Sequence, residues 1–257
     1  MIKLQDQLSR WVELTALPQR IVCLVPSITE LLFDLGLEDE VVGVTKFCVH
    51  PEIARSKARV GGTKQVKLDT IKALHPDLII ANKEENVQEQ VEQLMQVCPV
   101  YMSDVIDLPS ASEMMEHIGK LTGTVQLAQE LSRKQNELLK RTEKKHRKVL
   151  YLIWKDPWMS AGSDTYISKM METLGWQNVQ MQPRYPQLTM DEMKELDPDL
   201  ILLSSEPYPF NQSHVAALSS ELPGIHVRGV DGEMFSWYGS RLNHLTDEWM
   251  QLQADLT

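Results

Sequence analysis

The sequence predicts an α/β protein made of two lobes, each a parallel-rich sheet with flanking helices, joined by one long helix. Three observations predict it: an internal duplication, the same strand and helix order around each copy, and a polar stretch of helical periodicity between them. The duplication is gapless. VKLDTIKALHPDLII, residues 66–80, aligns with LTMDEMKELDPDLIL, residues 188–202. Asp69 pairs with Asp191, Lys72 with Lys194, Leu74 with Leu196, and Pro76-Asp77-Leu78-Ile79 with Pro198-Asp199-Leu200-Ile201. Each copy reads as a short amphipathic helix, a proline turn, and an apolar strand suited to a sheet covered on both faces.

The flanks extend the pattern. IVCLVPS predicts a strand running into the helix SITELLFDLG, with Gly36 as its stop and EVVGV as the next strand. Ser27 reads as the helix cap, with Glu30 completing a capping box. In the second half KVLYLIW predicts a strand, followed by a glycine-containing loop and the helix TYISKMMETLG ending at Gly175. Alternating strands and helices of this kind form parallel sheets with right-handed crossovers.

Between the halves, Met114, Met115, Ile118, Leu121, Leu127, Leu131, Leu138 and Leu139 form a helical stripe, which Gly123 and Thr124 can kink or divide. A short coiled hairpin is the alternative to a rod. The expected boundaries are 1–109 for the first lobe with an N-terminal extension, 110–146 for the linking helix, and 147–257 for the second lobe.

Composition narrows the function. The chain has 257 residues, 42% of them hydrophobic, and 36 acidic against 26 basic residues give a net charge of -10. Such a balance disfavours a general nucleic-acid binder. The run RKQNELLKRTEKKHRK reads as a solvated helix face. Three scattered cysteines, Cys23, Cys48 and Cys98, make neither a disulfide framework nor a thiolate metal knuckle. MIKLQDQLSRWVEL has no apolar signal-peptide core or lipid-attachment cysteine, and no run of 18 apolar residues occurs. Read as it stands, the chain is expected to be cytoplasmic; loss of a leader would make the same sequence an exported protein.

In open α/β sheets, ligands sit beyond the carboxyl ends of the strands. That rule nominates the loops at Pro26-Ser27-Ile28, 46–50, 61–64 and 82–86 in the first half, and 154–158, 205–210 and 235–241 in the second. Although aromatics are only 6% of the chain, they recur in these loops. Phe47, Trp154, Trp158, Tyr208, Phe210, Trp237 and Tyr238 offer flat contact surfaces. Among the nearby basic residues, Lys64, Lys83, Lys155 and Arg241 can meet carboxylates or phosphates. The competing reading is that such rings merely cover sheet ends.

Catalysis finds less support. Ser27 lacks the G-x-S-x-G elbow, and neither a dinucleotide loop nor a phosphate loop is present. Gly61-Gly62-Thr63-Lys64 is too short for either. Cys48 and His50 lack an orienting third member, and the seven histidines form no ligand motif. No catalytic cofactor and no resident metal are expected.

VPSITELLFDLG, VGGTK, LDTIKALHPDLIIA and the final SWYGSRL together resemble the periplasmic-binding-protein group whose lobes are joined by one long helix, the receptors for cobalamin, haem and ferric siderophores, and within it the cobalamin-binding subgroup. The resemblance spans roughly residues 18–255. It implies a monomeric substrate-binding component of an ABC importer, taking cobalamin or a related corrinoid into an interlobe cleft. It also implies an extracytoplasmic location, and docking to a permease through Asp69 and Asp191. KEEN and EPYPF depart from the subgroup's cobalamin loops, so haem or another iron chelate is the alternative guest. An intracellular chelate carrier and, less favoured, an α/β enzyme acting on a phosphate-containing substrate are the other readings.

Overall fold

The computed structural model describes residues 1–255. The chain opens with an antiparallel ribbon of β1 (Ile2–Gln5) and β2 (Trp11–Leu14). Asp6 closes its turn. This buried carboxylate accepts the backbone N–H groups of Leu8 and Arg10 at 2.9 Å each and pairs with the Arg10 guanidinium at 2.6 Å.

There follow β3 (Ile21–Cys23), α1 (Pro26–Asp34), β4 (Val41–Val44), β5 (Ala58–Arg59), α2 (Leu68–Ala73), β6 (Leu78–Asn82), α3 (Gln88–Leu94) and β7 (Val100–Ser103). The five strands from β3 onward form a wholly parallel sheet in the order β5-β4-β3-β6-β7. Val22, Leu24, Ile79, Ala81, Val100 and Met102 pack one face of it against Ile71 of α2 and Val91 and Leu94 of α3. Each such aliphatic side chain, fully buried, contributes about 1.5–3 kcal/mol of transfer free energy.

One local expectation fails here. Ser27 and Glu30 form no capping box: Val25 is the N-cap, and Pro26 begins α1. Proline suits the first helical position because its fixed φ is already helical and its missing N–H would be unpaired there anyway. Helix entry therefore moves upstream, and Ser27 and Glu30 are buried within the helix.

The helical stretch comes next as α4 (Leu108–Thr122) and α5 (Val125–Arg141), divided at Gly123 and Thr124. Gly123 takes a left-handed φ of 77°. Gly119 permits the tight approach at this break, since a Cβ there would lie 2.8 Å from that of Ala128.

The remaining elements are β8 (Arg147–Trp154), β9 (Trp158–Ser160), α6 (Tyr166–Thr173), β10 (Trp176–Asn178), β11 (Gln187–Leu188), α7 (Met190–Glu195), β12 (Leu200–Ser204), α8 (Gln212–Glu221), β13 (His226–Val230), α9 (Glu233–Ser236), α10 (Arg241–His244) and α11 (Thr246–Asp255). Their sheet runs β11-β9-β8-β12-β13, with β10 also paired to β8. Strands β10, β8, β12 and β13 are parallel, whereas β9 and β11 add an antiparallel edge. Leu150, Leu152, Ile201 and Leu203 pack against Met193 of α7 and Val215 and Leu218 of α8.

By contacts the chain divides into two compact units. Unit 1 comprises residues 1–105, 109–135 and 238–244; unit 2 comprises 106–108, 136–237 and the described residues from 245. Each unit has its own sheet, and each sheet contains one copy of the duplicated segment, as α2–β6 and as α7–β12.

Candidate functional site

In unit 2 four aromatic rings cluster at the carboxyl ends of β8 and β12. Trp154, the last residue of β8, meets Tyr208 edge-on at 5.5 Å between ring centroids. Tyr208 lies 4.6 Å from Phe210, which stacks on Trp158 at 5.9 Å and 5°. Lys155 places its ammonium 5.7 Å from the centroid of the Trp158 ring. The four rings differ in exposure. Phe210 is buried in the core, Trp158 and Tyr208 are partly covered, and Trp154 is 39% exposed.

His214 supports this surface from α8, and sequence reading passed over it. The backbone N–H of Asn211, the N-cap of α8, donates to His214 Nδ1 at 3.1 Å. The other ring nitrogen, Nε2, lies 3.5 Å from the Tyr208 hydroxyl. The only sequence signal for this is an Asn three residues ahead of a His at a helix start.

Trp237 is held by a different set of groups in unit 2. Its Nε1–H donates to Glu206 Oε1 at 3.0 Å, and Ser236 Oγ donates to the same oxygen at 2.6 Å. Burial pushes the Glu206 carboxyl above its ordinary range; hydrogen bonds from Ser236 and Trp237 oppose that shift, and nearby Glu233 and Asp231 add to it. Trp237 is 9% exposed, so most of its ring is packed rather than offered to a guest.

In unit 1, Phe47 follows β4 and is 49% exposed. Lys46 lies over its ring at 4.9 Å. The glycine turn makes room for them: a Cβ on Gly62 would stand 3.4 Å from Phe47 Cε2 and 3.5 Å from Lys46 Cε. The neighbouring loop after β6 is closed by its own asparagines. Asn82 Oδ1 accepts the N–H groups of Glu84 and Glu85, and Asn86 Oδ1 accepts the N–H of Asn82 at 2.8 Å.

The other nominated residues of unit 1 have protein partners. Lys64 donates to the Glu84 carbonyl, and Lys83 pairs with Asp104 at 2.6 Å. Arg241 forms a buried ion pair with Glu30 at 2.9 Å, with side-chain exposures of 12% and 4%. The second Arg241 nitrogen lies 3.4 Å from His50 Nε2. Burial raises the Glu30 carboxyl, and Arg241 partly offsets that rise. Tyr238 is buried too. Loss of solvation pushes its phenol well above the ordinary value, aided by Glu85, while Ser103 and Ser27 act the other way.

Cys48 is not arranged as a nucleophile. Its sulfur is fully buried between the hydroxyls of Thr29 and Thr45, 3.2 Å from each, and burial raises its pKa. Nucleophilic sulfur requires the opposite shift. Among the described residues no three His, Cys, Asp or Glu side chains converge as a metal site. A separate open cavity of about 400 Å³, bounded by Arg228, Asp231, Met234, Asp247, Glu248 and Gln251, contains none of the nominated residues.

Two parallel-rich sheet units with aromatic and cationic loops at their carboxyl edges fit an α/β substrate-binding protein. The comparisons name the family. The chain belongs to the periplasmic binding protein family, whose model matches residues 21–220, and that family is non-catalytic. A vitamin B12-binding protein of Vibrio campbellii is 26% identical over 241 residues, spanning 89% of this chain and 87% of that protein. Among solved structures, a periplasmic vitamin B12 binding protein of Vibrio cholerae superposes with a TM-score of 0.79 at 21% identity, covering 92% of this chain and 97% of that one. A periplasmic haem binding protein from Pseudomonas aeruginosa gives 0.77 at 23% identity, covering 93% and 92%. At such identities the structural likeness establishes the fold alone.

Proposed function

We propose that this chain is the substrate-binding component of an ABC importer and that it captures a metal chelate, with cobalamin or a related corrinoid as the leading guest. The observation that carries this reading is the aromatic surface of unit 2, where Trp154, Tyr208 and Trp158 present ring area beside a lysine. Such a surface suits a large, flat, largely apolar body with a polar rim, and rigid rings bind it at low entropic cost. Vitamin B12 in the names of sequence relatives supports the corrinoid. Haem or another iron chelate is the second reading, supported by the haem receptors among structures of the same fold.

For delivery, the reading assigns permease docking to Asp69 and Asp191. Both lie in the first turns of their helices, exposed, while Lys67 and Thr189 occupy the cap positions. Neither aspartate is therefore needed as a cap. Family membership supports an extracytoplasmic location, and among the described residues no helix is long and apolar enough to cross a membrane.

Absorbance titration with cobalamin, cobinamide, haem and a ferric catecholate tests the ligand. Saturable binding of cobalamin, weakened in Trp154→Ala without loss of fold, is the expected result. Failure of all four to bind defeats the reading. Replacing both Asp69 and Asp191 by alanine should lower permease-coupled uptake and leave affinity in solution unchanged; undiminished uptake counts against those two acids.

A further inference from the structure

The basic residues are not spread evenly along the chain. Residues 140–148, KRTEKKHRK, hold six of the 26 lysines and arginines but only one of the 36 acids. The segment is net positive by five in a chain whose net charge is -10. It lies wholly in unit 2 and runs from the end of α5 into β8. Its backbone is fixed along the way. The buried Trp249 of α11 donates its indole N–H to Thr142 Oγ1 at 3.0 Å, and that hydroxyl donates to the Leu138 carbonyl at 3.2 Å. The Lys145 N–H donates to the Leu174 carbonyl at 2.9 Å. Gly175, left-handed at φ 77°, permits the approach, since a Cβ there would stand 3.0 Å from both Lys144 Cβ and Lys145 N. Arg147 and Lys148 then pair in register with Trp176 and Gln177 of β10. Two of the cations are committed, Lys145 to Glu143 at 3.8 Å and Lys148 to Asp197 at 2.5 Å. Lys140, Arg141 and Lys144 are exposed, and among the described residues none of the three has an ion-pair partner. Unpaired lysines occur elsewhere, as at Lys67 and Lys72, but there the exposed Asp69 stands between them in sequence. Concentration on a fixed backbone sets residues 140–148 apart.

We propose that this cationic ridge is a docking surface for an anionic phospholipid bilayer. The surface potential of anionic headgroups attracts clustered Lys and Arg side chains, and the attraction needs no fitted pocket. Composition favours a bilayer over other acidic partners. KRTEKKHRK contains no apolar side chain, so it lacks the desolvated core on which a specific protein interface depends. It also has no Phe, Tyr or Trp, and the two tryptophans that flank it, Trp176 and Trp249, are 4% and 0% exposed. That leaves no aromatic platform of the kind on which single-stranded nucleic acid stacks. What remains is charge on exposed side chains, to which laterally mobile headgroups adapt. The acidic remainder of the chain is repelled by the same surface, which makes the ridge the point of attachment.

Co-sedimentation with vesicles tests the assignment. At low ionic strength the native protein should bind vesicles of equal parts phosphatidylcholine and phosphatidylglycerol, and should not bind phosphatidylcholine alone. It should be released at about 1 M salt, where charges are screened beyond about 3 Å. The triple variant Lys140→Gln, Arg141→Gln, Lys144→Gln should bind the anionic vesicles roughly 30- to 100-fold more weakly, at about three- to fivefold per charge. A control of the same net charge, Lys3→Gln, Lys72→Gln, Lys120→Gln, removes exposed lysines of unit 1 and should bind as the native protein does. All six side chains are exposed, and an unaltered circular dichroism spectrum checks each fold. No binding to the anionic vesicles at low ionic strength overturns the proposal. So does an equal loss in the control, which would mean that net charge rather than the ridge governs attachment. Displacement from the vesicles by a DNA duplex at equal phosphate concentration reassigns the ridge to nucleic acid and overturns the proposal as well.

Discussion

The two copies of the duplicated segment keep the same skeleton and differ in what fastens it. In both, the residue before the proline is left-handed, His75 at φ 46° and Asp197 at φ 48°. In both, the aspartate after the proline clasps the start of the unit's central strand. Asp77 accepts the backbone N–H groups of Gln19 and Arg20, at 2.7 and 2.9 Å, and donates its own N–H to Arg20. Asp199 accepts one, from Lys148 at 2.8 Å, and donates its N–H to the Lys148 carbonyl. The helices begin differently. Thr189 and Glu192 form a reciprocal capping box at α7, whereas Lys67 gives α2 no side-chain cap. The apolar pattern and the proline-aspartate turn define the module, while caps and clasps are free to diverge around it.

The units also differ in how a shielded glutamate is partnered: Glu30 is buried and Glu206 partly so. Glu30 of unit 1 faces a guanidinium; Glu206 of unit 2 faces two neutral donors. Breaking a buried ion pair on one side leaves the other charge without compensation, at a cost of about 3–5 kcal/mol. Arg241→Ala should therefore give the largest loss of the series, read by urea unfolding and by faster amide exchange in α1 and residues 238–244. A fall in ligand affinity with unchanged stability would instead return Arg241 to the binding loops, where its sequence position had put it.

Glu206→Gln should behave oppositely, because the amide oxygen can still accept from Ser236 and Trp237 without the desolvated charge. Burial holds the folded carboxyl above its unfolded value. Its contribution to stability is thus greatest below that value and is lost as pH rises through the folded pKa. The native chain should lose stability relative to the glutamine variant over that interval. Parallel pH profiles of unfolding for the two proteins would show that Glu206 is better solvated than its surroundings indicate.

The clasps rank next. Each net hydrogen bond contributes about 0.5–1.5 kcal/mol. Asp77→Ala, losing two solvent-exposed bonds, should cost about 1 kcal/mol against about 0.5 kcal/mol for Asp199→Ala, which loses one. Amide exchange at β3 and at β8 resolves the two effects unit by unit. Equal losses would mean that the difference in bond number has no energetic counterpart.

Much of this architecture was legible because its signals are local. Apolar runs became β3, β6, β8 and β12, Gly36 and Gly175 ended helices, and the duplicated segment marked one sheet in each unit. Trp154, Trp158, Tyr208 and Phe210 were found as loop aromatics, and the fold gathers them in one cluster. Partnership was not legible. Arg241 and Glu30 are 211 positions apart, so nothing near either residue announces the other. Lys83 and Asp104 likewise meet only because β6 and β7 are neighbours. At α1, Pro26 set the helix start, and the downstream Ser and Glu lost the roles their spacing suggested.

The caps complete the series, and they test whether the two modules can be made alike. Thr189→Ala removes an N-cap that accepts the Glu192 N–H at 3.2 Å, for a cost of about 1 kcal/mol. The Glu192 carboxyl, held below its ordinary value by its hydrogen bonds to Thr189, stabilises the folded chain above the unfolded pKa; that share is lost as pH falls through the folded value. In α2 the reverse experiment applies. Lys67 is exposed, but its backbone N–H already donates to the Val60 carbonyl, so its main-chain position is fixed before any cap is added. Lys67→Ser should supply a hydroxyl to the first turn and raise stability by a few tenths of a kcal/mol up to about 1. The N3 position is Thr70 rather than a glutamate, so no reciprocal box can form, and the gain should stay below the Thr189→Ala loss. A gain equal to that loss would assign the whole value of the second module's box to its threonine, and none to Glu192.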